Sequence, residues 1–287
     1  MRERVAARVT KVMKRVEGLI YDLQRLAGKR VKVPLISGLR CGASEKWMLR
    51  VLEFALPKRE GDFIDVGVNL GQTLIKLRAL DPTRKYIGFE PNPTCVFYTQ
   101  ELIRMNEYRN CTLVPVGLFT ETAILSLDLF TETPADSLAS LIPDFRPGAR
   151  IHDRALVAVF TFDHVAATAG ISKLGFVKVD VEGAELEVLR SMRQAIAKDR
   201  PTLLIEILPA YNAQNVRRIE RQAEIARLLS SLEYTIFRVE KDRADEYRAL
   251  RRLDTFDVHA DLSMCDHLLS PAERADDLYR ASLRAGD

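Results

Sequence analysis

Apolar positions follow two rhythms along this chain. After residue 60, short runs of apolar residues alternate with stretches in which they return every third or fourth position. The first rhythm belongs to strands buried on both faces and the second to amphipathic helices. Runs at 63–66, 86–89, 111–116, 175–181, 202–207 and 234–239 predict sheet strands. Helical spacing predicts helices over 72–80, 94–105, 183–196 and 216–232. Strand and helix alternating in this way predict an α/β fold, a mostly parallel doubly wound sheet with helices on both faces. Two further strands, 123–130 and 156–162, flank a long irregular stretch, so 118–160 reads as an insertion or lid. A last strand is expected at 256–262. Residues 241–252 are too polar for core, and the end of the chain reads as a polar tail with a surface helix.

The first 60 residues have a different pattern. Val5, Val9, Val12, Val16, Leu19, Leu23 and Leu26 alternate spacings of four and three, which predicts a helix over 3–27 with a seam of 3.5-residue period. Gly28 suits its stop. Such a seam has three uses: packing on its own domain, pairing with a second copy as a homodimer, or lying on a membrane surface through Lys11, Lys14, Arg15 and Arg25. Residues 29–41 read as a connection, and 44–56 as a second helix. The first 50 residues hold 13 Lys and Arg against 4 Asp and Glu, although the formal net charge of all 287 residues is only +3. That mild total gives no case for nucleic acid. The basic segment offers only Tyr21 and Trp47 as aromatics, fewer than stacking on bases requires.

Two strand ends carry the candidate chemistry. In Phe63-Ile-Asp-Val-Gly-Val-Asn-Leu-Gly-Gln-Thr73 a strand passes through Gly67 and Gly71 into a helix. A glycine turn beside a helix N-terminus suits the polar part of a nucleotide-like ligand. In Tyr86-Ile-Gly-Phe-Glu-Pro-Asn-Pro93 the next strand ends in Glu90, an acid placed to hold a ribose diol. Dinucleotide sites carry G-x-G-x-x-G. Here the turn is D-x-G-x-N-x-G, which fits S-adenosylmethionine better than NAD.

A third strand end, Phe176-Val-Lys-Val-Asp-Val-Glu-Gly183, puts Lys178, Asp180 and Glu182 on one side. Charged residues on a strand buried on both faces need partners, and Glu206 ends the neighbouring strand. Asp180 is the first candidate for a general base, Glu206 the second, and Lys178 the group that orients Asp180. Oxygen ligands at Asp180 and Glu206 would suit Mg²⁺; a divalent ion is the less favoured reading and no metal ligands are assigned. His164 is a candidate for the border of an acceptor pocket. His259, Asp261, Cys265 and His267 match no zinc spacing. Cys41, Cys95, Cys111 and Cys265 form no C-x-x-C pair and read as reduced thiols of a cytoplasmic protein. No apolar stretch approaches the length of a membrane span.

Together these stretches resemble the FkbM-type S-adenosylmethionine-dependent methyltransferases: FIDVGVNLGQT at 63–73, YIGFEPNP at 86–93, MNEYRNCTLVPVGL at 105–118, TFDHV at 161–165, KVDVEGAELEVLRSM at 178–192 and RPTLLIEI at 200–207. They stand in the family's order over roughly 60–210, with Val68 where the family carries alanine. The resemblance implies a Rossmann-like class I core over 59–262, with 1–58 as a helical extension and 263–287 as a tail. It implies O-methylation of a hydroxyl on a sugar, glycan or natural-product precursor. Asp65, Gly67, Asn69, Gly71 and Thr73 would line the methionine side of the cofactor, with Gln72 beside them. Glu90 would hold the ribose, and Pro91 and Asn92 would lie toward the adenosine. Asp180 would face the reacting centre, with Glu182 toward the acceptor. The rival readings are an RNA 2′-O-methyltransferase and a non-catalytic module that dimerises through 3–27.

Overall fold

The computed structural model describes residues 14–16, 19–42, 44–56 and 60–286. Its N-terminal part corrects the sequence reading. Residues 3–13, 17 and 18 of the expected helix lie outside the described residues, and 14–16 and 19–26 are strand. β1 (Lys14–Val16), β2 (Leu19–Leu26) and β3 (Lys29–Leu35) form an antiparallel sheet. Ala27 and Gly28 both take positive φ, 46° and 75°, and join Leu26 to Lys29. This is the two-residue hairpin turn whose twist matches the strands it connects. Gly28 therefore turns a hairpin rather than stopping a helix. The stretch 29–35, expected as a connection, supplies the partner strand through β-branched Val31 and Val33, both buried. The sheet is fastened to the rest of the chain. Asn106 accepts from the Lys32 N–H at 2.8 Å, and the Tyr98 hydroxyl donates to the Pro34 carbonyl at 2.8 Å. The seam behind the dimer and membrane-surface readings is thus not formed over 19–26.

The 44–56 helix forms as α1 (Lys46–Ala55), and the β/α units follow as expected. They are β4 (Asp62–Val66), α2 (Gln72–Leu80), β5 (Tyr86–Phe89), α3 (Pro93–Met105) and β6 (Cys111–Val114). The insertion builds its own small sheet from β7 (Gly117–Leu118), β8 (Ala123–Leu129) and β9 (Asp153–Phe160). A short α4 (Phe162–Ala166) leads to β10 (Leu174–Val179). The helix expected over 183–196 is two pieces, α5 (Glu185–Ser191) and α6 (Arg193–Asp199), broken at Met192. Then come β11 (Thr202–Glu206), α7 (Val216–Ser231) and β12 (Tyr234–Lys241).

The C-terminal reading also needs correction. The polar 241–252 stretch yields an edge strand, β13 (Tyr247–Leu253), which buries only Tyr247 and Leu250. Edge strands tolerate outward arginines, and here they also deter pairing with other chains. No strand forms at 256–262. The strand comes later, as β14 (Asp266–Pro271), inside the expected tail, and α8 (Ala275–Gly286) follows it. β14 is antiparallel to both β11 and β12, so residues as late as 271 belong to the sheet.

The large sheet runs β13-β12-β14-β11-β10-β4-β5-β6. β10, β11, β4, β5 and β6 are parallel. Chain order reverses between β4 and β10, and in open α/β sheets ligands bind at the carboxyl ends beside such a reversal. β4 and β10 send alternate side chains into two cores. Ile64, Val66, Val177 and Val179 face one. Phe63, Phe176 and Tyr86 stack in the other, with ring centroids 5.1 and 6.1 Å apart. On that second face the register continues into Asp65 and Lys178.

Candidate functional site

A cavity of about 350 Å³ opens at the carboxyl ends of β4, β5, β10 and β11, a size that suits a small ligand. One end is formed by the turn after β4 and the turn after β5. Gly67 has a φ of 83°, and a Cβ there would stand 1.8 Å from the Asp180 carbonyl oxygen. Only glycine lets the two strand ends lie so close. Asn69, at φ 49°, also takes the left-handed conformation. Its side-chain oxygen accepts from the Leu70 N–H at 2.7 Å.

The turn is not the open backbone that its glycines suggest. The Gly67 N–H donates to the Phe89 carbonyl at 3.0 Å, as does that of Val68 at 3.4 Å, and the Gly71 N–H donates to Val68 at 3.0 Å. The Asn69 N–H donates to Glu90 at 2.7 Å. With Leu70 bound to Asn69, every N–H from 67 to 71 has a partner, so the turn offers none to a diphosphate. Glu90 is therefore a clamp between two loops, accepting from Asn69 on one oxygen and from the Asn92 N–H at 2.9 Å on the other. Burial pushes its carboxyl up to about 7, against the pull of those two N–H groups. Each oxygen keeps a second lone pair for a diol. Asn92 caps α3 by accepting from the Thr94 N–H at 3.0 Å, and its amide donates to Pro134 in the insertion at 2.8 Å.

The other end of the cavity is a charged cluster. Lys178 Nζ donates to the Gly67 carbonyl at 2.7 Å and stands 3.2 Å from Asp180 and 3.5 Å from Asp65. Burial opposes its charge, but Asp180 and Asp65 hold its pKa above that of an ordinary lysine. Asp180 keeps 29% of its side chain exposed to the cavity. Burial would raise its pKa, yet Lys178 and a hydrogen bond from Glu206 bring it below the usual carboxylate value. Glu206 moves the other way, raised by burial and by the Asp180 charge. The pair thus holds one shared proton near neutrality.

Glu182 sits at φ 50°. Its carboxyl is pushed up to about 8 by burial and by Asp180, while Arg146 pulls it down. Arg146 reaches it from the insertion, and Ser140 Oγ donates to the Glu182 carbonyl at 2.7 Å. The insertion is thus tied over the site at both ends. Among the described residues, Asp180, Glu182 and Glu206 place carboxyl oxygens within 4.8 Å of one another. A divalent ion there would compete with Lys178 and Arg146 for those oxygens.

Of the residues singled out in the sequence, Gly67, Asn69, Gln72, Thr73, Glu90, Pro91, Asn92, Lys178, Asp180, Glu182 and Glu206 line this cavity. Three stand elsewhere. Asp65 is fully buried behind the wall, accepting from the Tyr86 hydroxyl at 2.7 Å and facing Lys178. It supports the cluster from behind and is not part of the cavity lining. Gly71 packs under Leu102. His164 is exposed, its ring 5.0 Å from that of Phe160. In the C-terminal polar group, His267 is buried against Phe256, and Asp261 accepts from the Ser263 N–H at 2.8 Å.

Sequence reasoning missed Glu45, Ser137 and Asp136, which also line the cavity, and Arg146. Glu45 has a signal only in space, since its partner Lys76 lies 2.9 Å away from another element. The other three lie in the long insertion, whose length alone marked it.

Raised carboxyls make stability depend on pH. A folded state that keeps protons released by the unfolded chain loses stability as pH rises from the unfolded pKa toward the folded one. Glu206, Glu182, Glu90 and Glu185 all lie on this side. The buried neutral His267, lowered to about 3, acts oppositely and only below the ordinary histidine pKa. The melting temperature should therefore fall from about pH 6.5 to about pH 8.5, and Glu206→Gln should flatten the fall. A change of 1 kcal/mol corresponds to roughly 2–4 °C in a chain of this size. An unchanged slope in the variant would mean that Glu206 is ionised in the fold.

The Methyltransferase FkbM domain model matches residues 65–236. Methyltransferase 1 of Beauveria bassiana (strain ARSEF 2860) is 23% identical over 142 residues, 45% of this chain and 57% of that protein. Methyltransferase sdnD of Sordaria araneosa is 24% identical over 155 residues, 45% of this chain and 59% of that protein. The match thus spans less than two thirds of either curated relative. Among solved structures, methyltransferase FkbM from Methylobacillus flagellatus KT is similar at 17% identity and a TM-score of 0.44, covering 74% of this chain and 43% of that one.

Proposed function

Because the chain belongs to the FkbM methyltransferase domain family, we propose that it transfers a methyl group from S-adenosylmethionine to a hydroxyl oxygen of a small-molecule or glycan acceptor. A sugar, a glycan or a natural-product precursor fits this reading. The observation that carries it is Asp180, a carboxylate kept charged by Lys178 and opening into the same cavity as Glu90.

The residues present fit the cofactor. Glu90, Asn69 and Asn92 would hold its nucleoside part, and Gly67 and Thr73 its amino-acid part. A turn whose N–H groups are all engaged suits a ligand without a diphosphate better than a dinucleotide. When bound, S-adenosylmethionine supplies a methyl group on a sulfonium, a leaving group that needs no protonation. What the chain adds is position and a proton acceptor. Asp180 accepts the hydroxyl proton of the acceptor as the oxygen becomes nucleophilic. Lys178 keeps that carboxylate ionised, and the protonated Glu206 donates to it. Leu118, Leu127 and Leu141 give the cavity an apolar wall that limits water at the reacting oxygen.

Calorimetry should show S-adenosylhomocysteine binding and no NAD binding; the reverse pattern would overturn the cofactor reading. Glu90→Gln should weaken S-adenosylhomocysteine binding by about 1–3 kcal/mol, the worth of a charge-assisted hydrogen bond. Transfer from labelled cofactor should leave an O-methyl ether, and label on nitrogen or carbon would refute O-methylation.

A further inference from the structure

We infer that the acceptor is an uncharged or ammonium-bearing polyhydroxyl compound, and that sugars carrying phosphate or nucleoside diphosphate are rejected. This rests on the methyl-transfer reading above and narrows its substrate. The side chains that line the cavity carry it. Among the described residues, six acids face the space: Glu45, Glu90, Asp136, Asp180, Glu182 and Glu206. One described cation does, Lys178.

Lys178 cannot serve an anion. An ammonium has three N–H groups. Here Lys178 donates to the Gly67 carbonyl at 2.7 Å and is ion-paired with Asp180 and Asp65 at 3.2 and 3.5 Å. The cations behind the wall are engaged as well. Lys76 lies 2.9 Å from Glu45 and is almost fully buried. Arg146 is on Glu182, and Lys241 is on Asp266. Phosphate is recognised by arginine forks, lysines or open N–H groups. The turn after β4 has spent its N–H groups from 67 to 71 internally. Among the described residues, an anion entering would meet carboxyl groups on several sides and no cation that is not already engaged.

The same walls suit hydroxyls and ammonium groups. Carboxylates accept from both, and Asp136 and Ser137 extend the polar lining into the insertion. The long insertion supplies the wall opposite the strand ends, so an acceptor is enclosed by it rather than laid on an open surface.

The test uses the full chain saturated with S-adenosylhomocysteine, whose binding is first confirmed by calorimetry. Four probes share a glucose ring: methyl glucoside, glucosamine, glucose phosphate and uridine-diphosphate glucose. Saturation-transfer NMR detects weak contact with each without requiring the natural acceptor. Methyl glucoside and glucosamine should give signals, and the two phosphorylated probes should be weaker by about tenfold or more, the effect of like charges brought together in a site. Equal or stronger signals from the phosphorylated pair would overturn the inference. Silence from all four in the cofactor-loaded protein would overturn the polyhydroxyl assignment while leaving methyl transfer standing. Failure to bind S-adenosylhomocysteine would instead remove the reading on which it rests.

Discussion

Asp180→Asn will lower turnover by about 10²–10⁴, the range for loss of a positioned acid or base, and leave cofactor affinity within a few-fold. The variant keeps the shape of the side chain and removes its charge. The groups assigned to the nucleoside, Glu90 and Asn92, stand at the other end of the cavity and hold their own hydrogen bonds. Their geometry does not depend on Asp180. The fold should also survive, because Lys178 keeps Asp65 and the Gly67 carbonyl as partners. The measurements are single-turnover methyl transfer, calorimetry with S-adenosylhomocysteine, and a melt. Near wild-type turnover in a folded, cofactor-binding variant would remove Asp180 from the mechanism and transfer the role of base to Glu206.

Lys178→Met should destabilise the protein by about 3–5 kcal/mol, the range for leaving buried charge uncompensated. Asp65 is fully buried, and burial already raises its pKa despite Lys178 and the Tyr86 hydroxyl. Without the lysine, Asp65 and Asp180 lose the cation with which both are ion-paired. Asp65 would then be pushed further up and Asp180 would lose the main pull that holds it down, so the folded state would hold more protons than the unfolded chain above the ordinary aspartate pKa. The deficit should therefore grow as pH rises from about 4 to about 8. Adding Asp65→Asn to Lys178→Met should recover part of the loss, because contacting residues are not additive. Denaturant melts at the two pH extremes decide it. A single variant within about 0.5 kcal/mol of wild type would show that the lysine is dispensable to the fold.

Most of the catalytic half is legible in the amino-acid sequence. Parallel strands buried on both faces must be apolar, so Lys178 and Asp180 stand out where no charge belongs without a reason. The pairing of Glu90 with a glycine turn places two loops at one sheet edge, and the observed register agrees. The roles inside that edge are less visible. Asp65 resembles Glu90 in sequence, an acid near a strand end. It sits one residue before the last strand position, which turns it inward to Tyr86 and Lys178. Glu90 lies just past its strand and faces the cavity.

The N-terminal and C-terminal thirds show where periodicity stops deciding. In 19–26 spacings of three and four suit a helix, yet a strand forms because 29–35 is available to pair with it across Ala27 and Gly28. A helix satisfies its backbone within itself, whereas a strand needs a partner, and the sequence of one segment does not contain its partner. β14 is hidden for a related reason. Asp266 and His267 look like tail residues, but Lys241 on β12 and Phe256 in the loop after β13 receive them. What the sequence by itself determined was the alternating α/β core and the acids at its carboxyl edge, because local periodicity and isolated buried charges are visible residue by residue. Only the tertiary structure decided which acid meets the cavity, which cation is already engaged, and how the insertion closes over them, because each is a relation between segments far apart in the chain.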